Sequence, residues 1–523
     1  MAGASFETGI ENATIAELRQ ALAAGAITAA ALARAYIARI EAYDGALAAV
    51  RTVNPEALAA AAKIDRVDAR PLAGIPILLK DNIATADRQK TTAGALALRG
   101  AGARHDASLV ARLRQAGAVI LGKANLTEFA NMTAIDMPAG YSSLGGQVRN
   151  PYAPQCDERG VPIVSPGGSS SGSAVAVAAG FAAAAIGTET SGSLLSPACQ
   201  NGLVTVKPTV GLISRAGIIP IAASQDTAGP LTRSVYDAAL LLNVLAAVDP
   251  RDPATGALRR PDDYTRALDK DGLKGARIGV PSDPADPGDD VYYGPLSPAA
   301  ALLMERAIAV VQAAGATILR ANMPTAGWIG GPGTEMAILN RNPESPTCHQ
   351  PARRPIVLVY ELKHGLNAYL RDWATATAIR SLSDILAFNR AAGAPALRFG
   401  QDILIAAEAT RGDLSEIEYR AARAMDLQAA RTLGLDAYMD RHRLDAVLFP
   451  GAAGAAIAAK AGYPSVQVPA GFTAGPDGRA IPFGVTFTGR AWSEATLLRL
   501  AYAFEQATQA RRPPAGFPAL DGS

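Results

Sequence analysis

The centre of this 523-residue chain is a long stretch with almost no charge. From Ala174, about thirty residues (AVAVAAGFAAAAIGTETSGSLLSPACQNGLV) contain a single charged side chain, Glu189. Their pattern predicts a helix, a strand, a loop, the start of a second helix and a further strand. Because charged side chains are rarely buried, a stretch that lacks them is expected at the centre of the fold.

Helix and strand patterns alternate on both sides of this centre. Two amphipathic helices are predicted after Thr14, and the apolar run in LAGIPILLKDNI predicts a buried strand that ends at Lys80. The segment DASLVARLRQAGAVILG predicts a helix and then a strand, and the same order recurs at 309–318. Three strand patterns and a closing helix follow residue 443. This alternation predicts an α/β fold with a mixed sheet covered by helices on both faces.

The composition excludes several classes of partner. Lysine and arginine number 49 against 47 acidic residues, so the net charge of +2 gives no reason to expect nucleic acid or an anionic membrane. The first twenty residues lack a secretory pattern, and the apolar run 174–186 is too short to span a bilayer. Three cysteines at irregular spacing predict neither disulfides nor a zinc site. We expect a cytoplasmic protein, monomer or homodimer, that acts on a small molecule without metal or cofactor.

Two serine-rich turns, SPGGSSSGS and TSGS, are candidates for nucleophilic chemistry. None of the four histidines lies near them in sequence, although a triad with a distant histidine stays possible. A lysine can replace the histidine only if it is uncharged, which requires burial to lower its pKa from about 10.4. Lys80 follows the apolar run 75–79 and is the candidate for that base.

Three ordered blocks resemble the amidase signature family: GIPILLKDNI around Lys80, SPGGSSSGSAVAVAAG around Ser169, and GTETSGSLLSPACQNGLVTVKPTVGLIS around Ser193. The segments SQDTAGP and WSEATLLRLAYAFEQ are similar to the bacterial peptide amidases within it. The resemblance implies one amidase domain over 1–523. Its parts are opening helices (1–66), a signature core (68–245), a variable substrate-shaping region (280–440) and a return to the core (443–510).

The family uses a Ser-cis-Ser-Lys triad, and the resemblance carries it onto Ser193 as nucleophile, Ser169 as bridging serine and Lys80 as base. The oxyanion hole falls on the backbone N–H groups of Thr190, Ser191, Gly192 and Ser193. Ser191 departs from the Gly or Asp that is frequent at its position, which keeps the main-chain donor but alters the pocket. The resemblance implies an amide hydrolase that works through an acyl-enzyme.

Two further sets of residues are considered. We expect the charged residues of the matching blocks to be structural ties, and aromatic or methionine side chains in loops to line the acyl pocket or simply to pack. The charged set is Asp226, Lys207 and Lys123, and the second set is Trp328, Phe129, Met132 and Tyr141.

Three alternatives stay open. Gly168–Gly172 fits a G-x-S-x-G nucleophile elbow with Ser170 as nucleophile and His364 or His442 as base, but prolines interrupt the strand that such an elbow needs. The same glycine-rich loop could cradle phosphate, although no G-K-[ST] follows. The chain could also be the amidase component of a transamidosome, passing ammonia to a partner.

Overall fold

The computed structural model describes residues 9–64, 69–286, 290–330, 333–343 and 345–520. The first eight residues and the predicted boundary at 66–68 lie outside this range. The described residues form seventeen β-strands: β1 Val50–Val53, β2 Pro76–Lys80, β3 Gly102–Ala103, β4 Val119–Ala124, β5 Tyr141–Ser142, β6 Gly146–Gln147, β7 Ala184–Glu189, β8 Val204–Lys207, β9 Thr227–Thr232, β10 Arg277–Val280, β11 Thr317–Arg320, β12 Glu335–Leu339, β13 Pro351–Pro355, β14 Ala374–Thr375, β15 Ala446–Pro450, β16 Ser465–Ala474 and β17 Ala480–Thr488.

Eleven of these strands form one mixed sheet, in the order β1-β4-β2-β7-β9-β8-β16-β17-β15-β10-β11. The strand β2 is parallel to both of its neighbours, β4 and β7, and β10 is parallel to β11 and β15. The remaining pairs are antiparallel. Strands from the first half and from the last eighty residues therefore share one sheet, as the returning α/β pattern at the end of the chain predicts.

Helices surround the sheet. The described residues form sixteen α-helices: α1 Ile15–Ala23, α2 Ala29–Leu47, α3 Ala57–Ala62, α4 Ser108–Gln115, α5 Ser171–Ala178, α6 Leu195–Gln200, α7 Val235–Leu245, α8 Pro298–Ala313, α9 Ile356–Asp372, α10 Leu382–Ala392, α11 Ala394–Leu397, α12 Asp402–Glu408, α13 Ile417–Leu427, α14 Ala437–His442, α15 Ala455–Ala461 and α16 Glu494–Thr508.

The low-charge centre folds as its pattern predicts. It runs through α5, β7, α6 and β8, and every residue of α5 and β7 is buried. The sheet strands and the helices against them share one large apolar core, in which the alanines of this stretch let α5 approach β7 and β2 closely. None of the helices in the described parts of the chain combines the length and the apolar character that crossing a bilayer requires.

The polar segment 138–173, whose Gly, Ser, Pro and Asn residues predict a loop at the surface of a cleft, is a loop with many exposed residues up to Ser165, but its last part is buried. There the hydroxyl of Ser169 binds Lys80, and those of Ser170 and Ser171 donate to main-chain carbonyls. In the stretch 282–355, the helix and strand predicted at 309–318 are present as α8 and β11. The hairpin of β12 and β13 lies where only variable loops are predicted, and that prediction is wrong there.

Candidate active site

The carboxyl ends of two parallel strands bring the candidate residues together. Lys80 is the last residue of β2, and β7 ends beside it, with Leu79 opposite Ile186 in the register. Because parallel strands end at the same edge of a sheet, the residues that follow them meet there. The predicted position of Lys80 at the exit of a buried strand is confirmed.

The Lys80 amine is completely buried and fully engaged. Its Nζ donates to Ser169 Oγ at 2.8 Å, to Thr188 Oγ1 at 2.9 Å and to the Thr188 carbonyl at 3.2 Å. Burial lowers the pKa of Lys80 from 10.5 to about 7, although the carboxylates of Asp226 and Glu189 oppose this shift. A large fraction of the amine is therefore neutral near pH 7, as a lysine base requires.

The loop that carries Ser169 is tied to the ends of the neighbouring strands. The Ser169 carbonyl accepts a hydrogen bond of 3.1 Å from the N–H group of Thr127, which lies in the loop after β4. The peptide bond between Gly168 and Ser169 is cis. The hydroxyl of Ser170, the next residue, donates to the Thr188 carbonyl at 2.9 Å. A Cβ atom at position 187 would lie only 2.7 Å from the oxygen of this hydroxyl. Glycine at 187 thus permits the loop to pack directly on β7.

The turn after β7 presents a row of backbone donors. In the described parts of the chain, no acceptor binds the N–H groups of the four residues from Thr190 to Ser193. Gly192 has a φ of +83°, a conformation that strongly favours glycine. The next two N–H groups, of Leu194 and Leu195, donate to one Glu189 oxygen at 2.7 and 3.0 Å. Glu189 therefore fixes the far side of the turn, and the donors before it stay available.

Ser193 lies next to the Ser169 loop. Its carbonyl accepts a hydrogen bond from the Ser170 N–H at 3.2 Å, and the residue is 7% exposed. Among the described residues, no hydrogen bond joins the Ser193 hydroxyl to that of Ser169. The structure thus links Lys80 directly to Ser169, and brings Ser193 beside them through the backbone.

Asp226 supports the same turn from the other side. One of its oxygens accepts from the Thr190 hydroxyl, and the other accepts from the N–H groups of Ile221 and Ala222, both at 2.9 Å. Burial raises the pKa of Asp226 to about 6. These contacts agree with the interpretation of Asp226 as a structural tie, here of the turn that carries the free donors.

A cavity of about 300 Å³ adjoins this cluster. Asn82, Thr188, Thr190 and Asp226 line it on the side of this cluster, while Ser169 and Ser193 are not among the described residues that line it. Four further charged residues also line it: Arg215, Arg251, Asp252 and Asp372. The segment 217–221 and the helix α9 form most of the apolar side, through Ile218, Ile219, Pro220, Ala368 and Tyr369. An apolar group with a polar end fits such a space.

Comparison with known proteins identifies the family. The sequence profile of the amidase family matches residues 31–329, more than half of the chain. The chain belongs to the amidase family. Three predictions are confirmed: the α/β fold with a mixed sheet, the resemblance to the amidase signature family, and the activity class. The protein is an amide hydrolase.

Individual relatives agree with this assignment. The solved structure of the peptide amidase from Stenotrophomonas maltophilia is 42% identical, covers 96% of this chain and 98% of its own, and superimposes with a TM-score of 0.82. An Arabidopsis thaliana protein named a probable amidase is 37% identical over 97% of this chain and 92% of its own length. A subunit of the glutamyl-tRNA(Gln) amidotransferase of Geobacter metallireducens is 33% identical over 96% of this chain and 99% of its own length.

The other sequence-predicted residues of this amidase lie elsewhere. Phe129 and Met132 are buried in an apolar cluster, Tyr141 packs edge-on against Phe399 at 4.8 Å, and Trp328 is 52% exposed. None of these four predicted residues is among those that line the 300 Å³ cavity. Thr190 and Asp226, both named from the sequence, do line it. The lining residues of α9 were missed, because α9 lies about 175 residues after Ser193 and carries no recognisable motif.

Two buried lysines of the amidase bind main-chain carbonyls. Lys123 donates to the Ile83 carbonyl and, at 3.1 Å, to the Thr91 hydroxyl. Lys207 donates to the Tyr463 carbonyl. Both contacts tie a strand end to a neighbouring loop, as expected for structural lysines.

The surroundings of Ser170 differ from those of a nucleophile. Its hydroxyl donates to the Thr188 carbonyl at 2.9 Å and accepts from the Thr188 N–H at 3.2 Å. His364 contacts the Gly412 carbonyl instead, and His442 packs against Tyr438. No strand directly precedes Ser169 in the described residues, so the strand-turn-helix of a nucleophile elbow is absent there.

Proposed function

We propose that this amidase cleaves amides with Ser193 as nucleophile, Ser169 as proton relay and Lys80 as base. The observation that carries the proposal is the hydrogen bond of 2.8 Å between Lys80 Nζ and Ser169 Oγ, both of which belong to fully buried residues. A hydroxyl can accept one proton while donating another, so Ser169 can connect the two ends.

In the first step, neutral Lys80 takes a proton from Ser169 while Ser169 takes the proton of Ser193, whose oxygen attacks the amide carbonyl. The developing oxyanion meets the free N–H groups of Thr190, Ser191, Gly192 and Ser193; losing one such donor typically costs about 3 to 4 kcal/mol of transition-state stabilisation. Catalytic hydrogen bonds often shorten only when substrate is bound, so the open Ser169–Ser193 contact is compatible with the relay.

The proton then returns along the same path to the leaving amine, which departs and leaves Ser193 acylated. Water then enters and gives a proton to the relay while its oxygen bonds to the acyl carbon. The bond from that carbon to Ser193 breaks, the relay returns the proton to the Ser193 oxygen, and the acid is released. The chain's own groups supply every proton transfer in this scheme. We propose the uncharged amides as substrates, with an apolar group beside the amide that enters the 300 Å³ cavity. Peptide amides, aryl amides and carbamates belong to this class.

The test uses purified full-length protein and a panel of peptide amides, aryl amides, carbamates and esters. We expect hydrolysis of at least one amide, and loss of both hydrolysis and fluorophosphonate labelling in Ser193→Ala. Ser170→Ala is the matched control, because Ser170 is also buried and lies one residue from the relay. Loss of labelling in Ser170→Ala alone would overturn the assignment of the nucleophile.

A second candidate function is that of an amidotransferase component, because relatives with that name are 33% and 34% identical over nearly the whole chain. It predicts no amide hydrolysis in the absence of a partner protein. Hydrolysis by the isolated chain separates the two. We further propose a single domain over 1–523 that works in the cytoplasm as a monomer or homodimer, without nucleic acid or membrane; size-exclusion chromatography with light scattering tests the oligomeric state.

A further inference from the structure

The helix α9 packs directly against the segment 217–226, which lines the 300 Å³ cavity. A Cβ atom at position 365 of the helix would lie only 2.9 Å from the ring of Pro220, so the glycine there permits the close contact. Glu361 lies one turn earlier in α9 than Gly365, and therefore on the same face of the helix. This face thus brings a carboxylate to the segment.

Glu361 binds the segment at one peptide group. The residue is 4% exposed, and its Oε2 accepts a hydrogen bond from the Ser224 N–H at 2.9 Å while its Oε1 accepts one from the Tyr419 hydroxyl of α13 at 2.9 Å. The neighbouring carbonyl, that of Ala223, accepts from Arg215. Burying a carboxylate is costly unless it is hydrogen-bonded, and hydrogen bonds to a charged group are the strong ones. Glu361 therefore ties the segment firmly to α9 and α13.

The last six residues of the segment, the loop 221–226, are bonded to each other and to Thr190. Asp226 accepts from the N–H groups of Ile221 and Ala222, and the Ala222 carbonyl accepts from the N–H groups of Gln225 and Asp226 at 3.0 and 2.8 Å. Asp226 also accepts from the Thr190 hydroxyl, and Gln225 Nε2 donates to the Thr190 carbonyl at 3.4 Å. The position of this loop therefore determines the position of Thr190.

The N–H group of Thr190 is the first of the free donors in the turn after β7. A donor stabilises an oxyanion when it lies within about 2.7 to 3.1 Å of the place where that oxygen forms. We propose that Glu361 is a positioning residue of this amidase: it fixes the loop 221–226 at Ser224, and the loop orients the Thr190 N–H group toward the oxyanion. The inference rests on the proposed function, because the oxyanion forms when Ser193 attacks a carbonyl. Glu361 is not among the described residues that line the cavity, so it acts through the loop.

The test compares Glu361→Met with the wild type on the most reactive amide of the panel. Methionine is similar in length but is only a weak acceptor, so the loop loses this anchor. We expect kcat to fall by about tenfold and KM to change by less than about threefold, because an oxyanion donor acts in the transition state. The rate of fluorophosphonate labelling of Ser193 should also fall by about tenfold, since the phosphoryl oxygen uses the same donors.

Two further variants separate positioning from folding. Glu361→Gln keeps an oxygen that can accept from the Ser224 N–H, and its kcat should stay within about threefold of the wild type. Tyr419→Phe removes the hydrogen bond to the other oxygen of Glu361, so it should lower the melting temperature Tm while its kcat also stays within about threefold. Should Glu361→Met fail to fold, Glu361→Asp takes its place, because it keeps the charge but shortens the side chain by one carbon; we expect the same fall in kcat.

A kcat of Glu361→Met equal to that of the wild type overturns the inference. So does an equal loss of kcat in Tyr419→Phe, because the effect would then follow stability and not the contact with Ser224. A loss of kcat/KM that lies entirely in KM also overturns it, since it would assign Glu361 to substrate binding. A wild-type chain that neither hydrolyses an amide nor reacts with the fluorophosphonate refutes the proposed function itself, and the inference with it.

Discussion

Lys80 and Lys207 occupy closely similar surroundings and yet have different partners. Each is the last residue of a strand of the central sheet, and each is fully buried. Burial lowers the pKa of Lys80 to about 7 and that of Lys207 to about 8, and the charge of Glu189 opposes the shift in both. Burial thus brings the pKa of both amines close to neutral pH, and that of Lys80 lower than that of Lys207.

The partners separate the two lysines. Lys80 contacts the hydroxyls of Ser169 and Thr188, whereas Lys207 donates to the main-chain carbonyl of Tyr463. A carbonyl can only accept a hydrogen bond, while a hydroxyl can accept one proton and pass on another. Burial alone therefore does not distinguish the proposed base from the other buried lysines. A hydroxyl partner alone does not either, because Lys123 contacts that of Thr91; the contact of Lys80 with Ser169, which lies beside Ser193, sets it apart.

The largest effect is expected from replacing each lysine by methionine, which is similar in length and carries no charge. Lys80→Met removes the proposed base, so kcat/KM for an amide should fall by about 100- to 10,000-fold. Lys207→Met should stay within about tenfold of the wild type, because Lys207 does not contact the relay. Steady-state kinetics on the most reactive amide of the panel measures both.

Near-UV circular dichroism of the two variants serves as the control for folding. Similar losses of activity in two folded variants would mean that the neutral amine acts through the electrostatics of the sheet and not through Ser169. The difference between the hydrogen-bond partners of Lys80 and Lys207 would then not explain which lysine takes part in catalysis.

The pH dependence sharpens the same contrast. Only neutral Lys80 can accept a proton, and its pKa is about 7. We expect log kcat/KM to rise with a slope of about one between pH 5 and 7 and to level off above pH 8, a change of about a hundredfold. Lys207→Met should keep this acidic limb. An activity optimum near pH 5 would contradict the role of Lys80 as base.

A smaller effect is expected from the hydroxyl of Thr188, which accepts hydrogen bonds from Lys80 at 2.9 Å and from Asn82 at 3.0 Å. Thr188→Val keeps the shape but leaves the Asn82 amide only its longer contact of 3.5 Å with the Ile219 carbonyl, which costs about 1 to 3 kcal/mol of unfolding free energy. Because the amine loses one of its three acceptors, kcat/KM should fall by about tenfold, or about 1.4 kcal/mol.

Thr205→Val is the matched control for this variant. Thr205 is also buried, and its hydroxyl donates to the Pro230 carbonyl at 2.7 Å, away from the lysine. It should lose stability by a similar amount and keep its activity. If both variants lose activity alike, the hydroxyl of Thr188 supports only the fold.

Much of the site could be predicted from local sequence. The strand exit at Lys80 follows from the apolar run before it, and the blocks around Ser169 and Ser193 identify the two serine turns. The cis bond before Ser169 and the free donors of 190–193 agree with what the family resemblance implied. These features belong to short segments whose residues determine their own backbone.

The rest depends on contacts between distant segments. Glu189 shapes the turn by binding Leu194 and Leu195, and an acid just before a T-S-G-S turn was a signal that could have indicated it. No such signal identifies α9, because its residue Tyr369 comes to line the cavity only when the chain has folded. The serines at the end of the polar loop are buried because the hydroxyls of Ser170 and Ser171 bind main-chain carbonyls and that of Ser169 binds Lys80, and hydroxyls with such partners can be buried at little cost.

The last prediction concerns stability at alkaline pH and leaves activity aside; Lys207 again serves as the comparison. Its pKa is about 8 in the folded protein and near 10.5 in the unfolded chain. Between these values the unfolded chain binds more protons, so the free energy of unfolding rises with pH, by up to about 1.4 kcal/mol per unit for this one group. Lys207→Met lacks this contribution.

Urea unfolding from pH 8 to 10.5 should therefore show the wild type gaining stability relative to the variant as pH rises. Parallel curves would mean that Lys207 keeps its proton in the fold. Burial at a strand end would then be too weak to neutralise an amine, and the neutrality of Lys80 would have to come from its own loop.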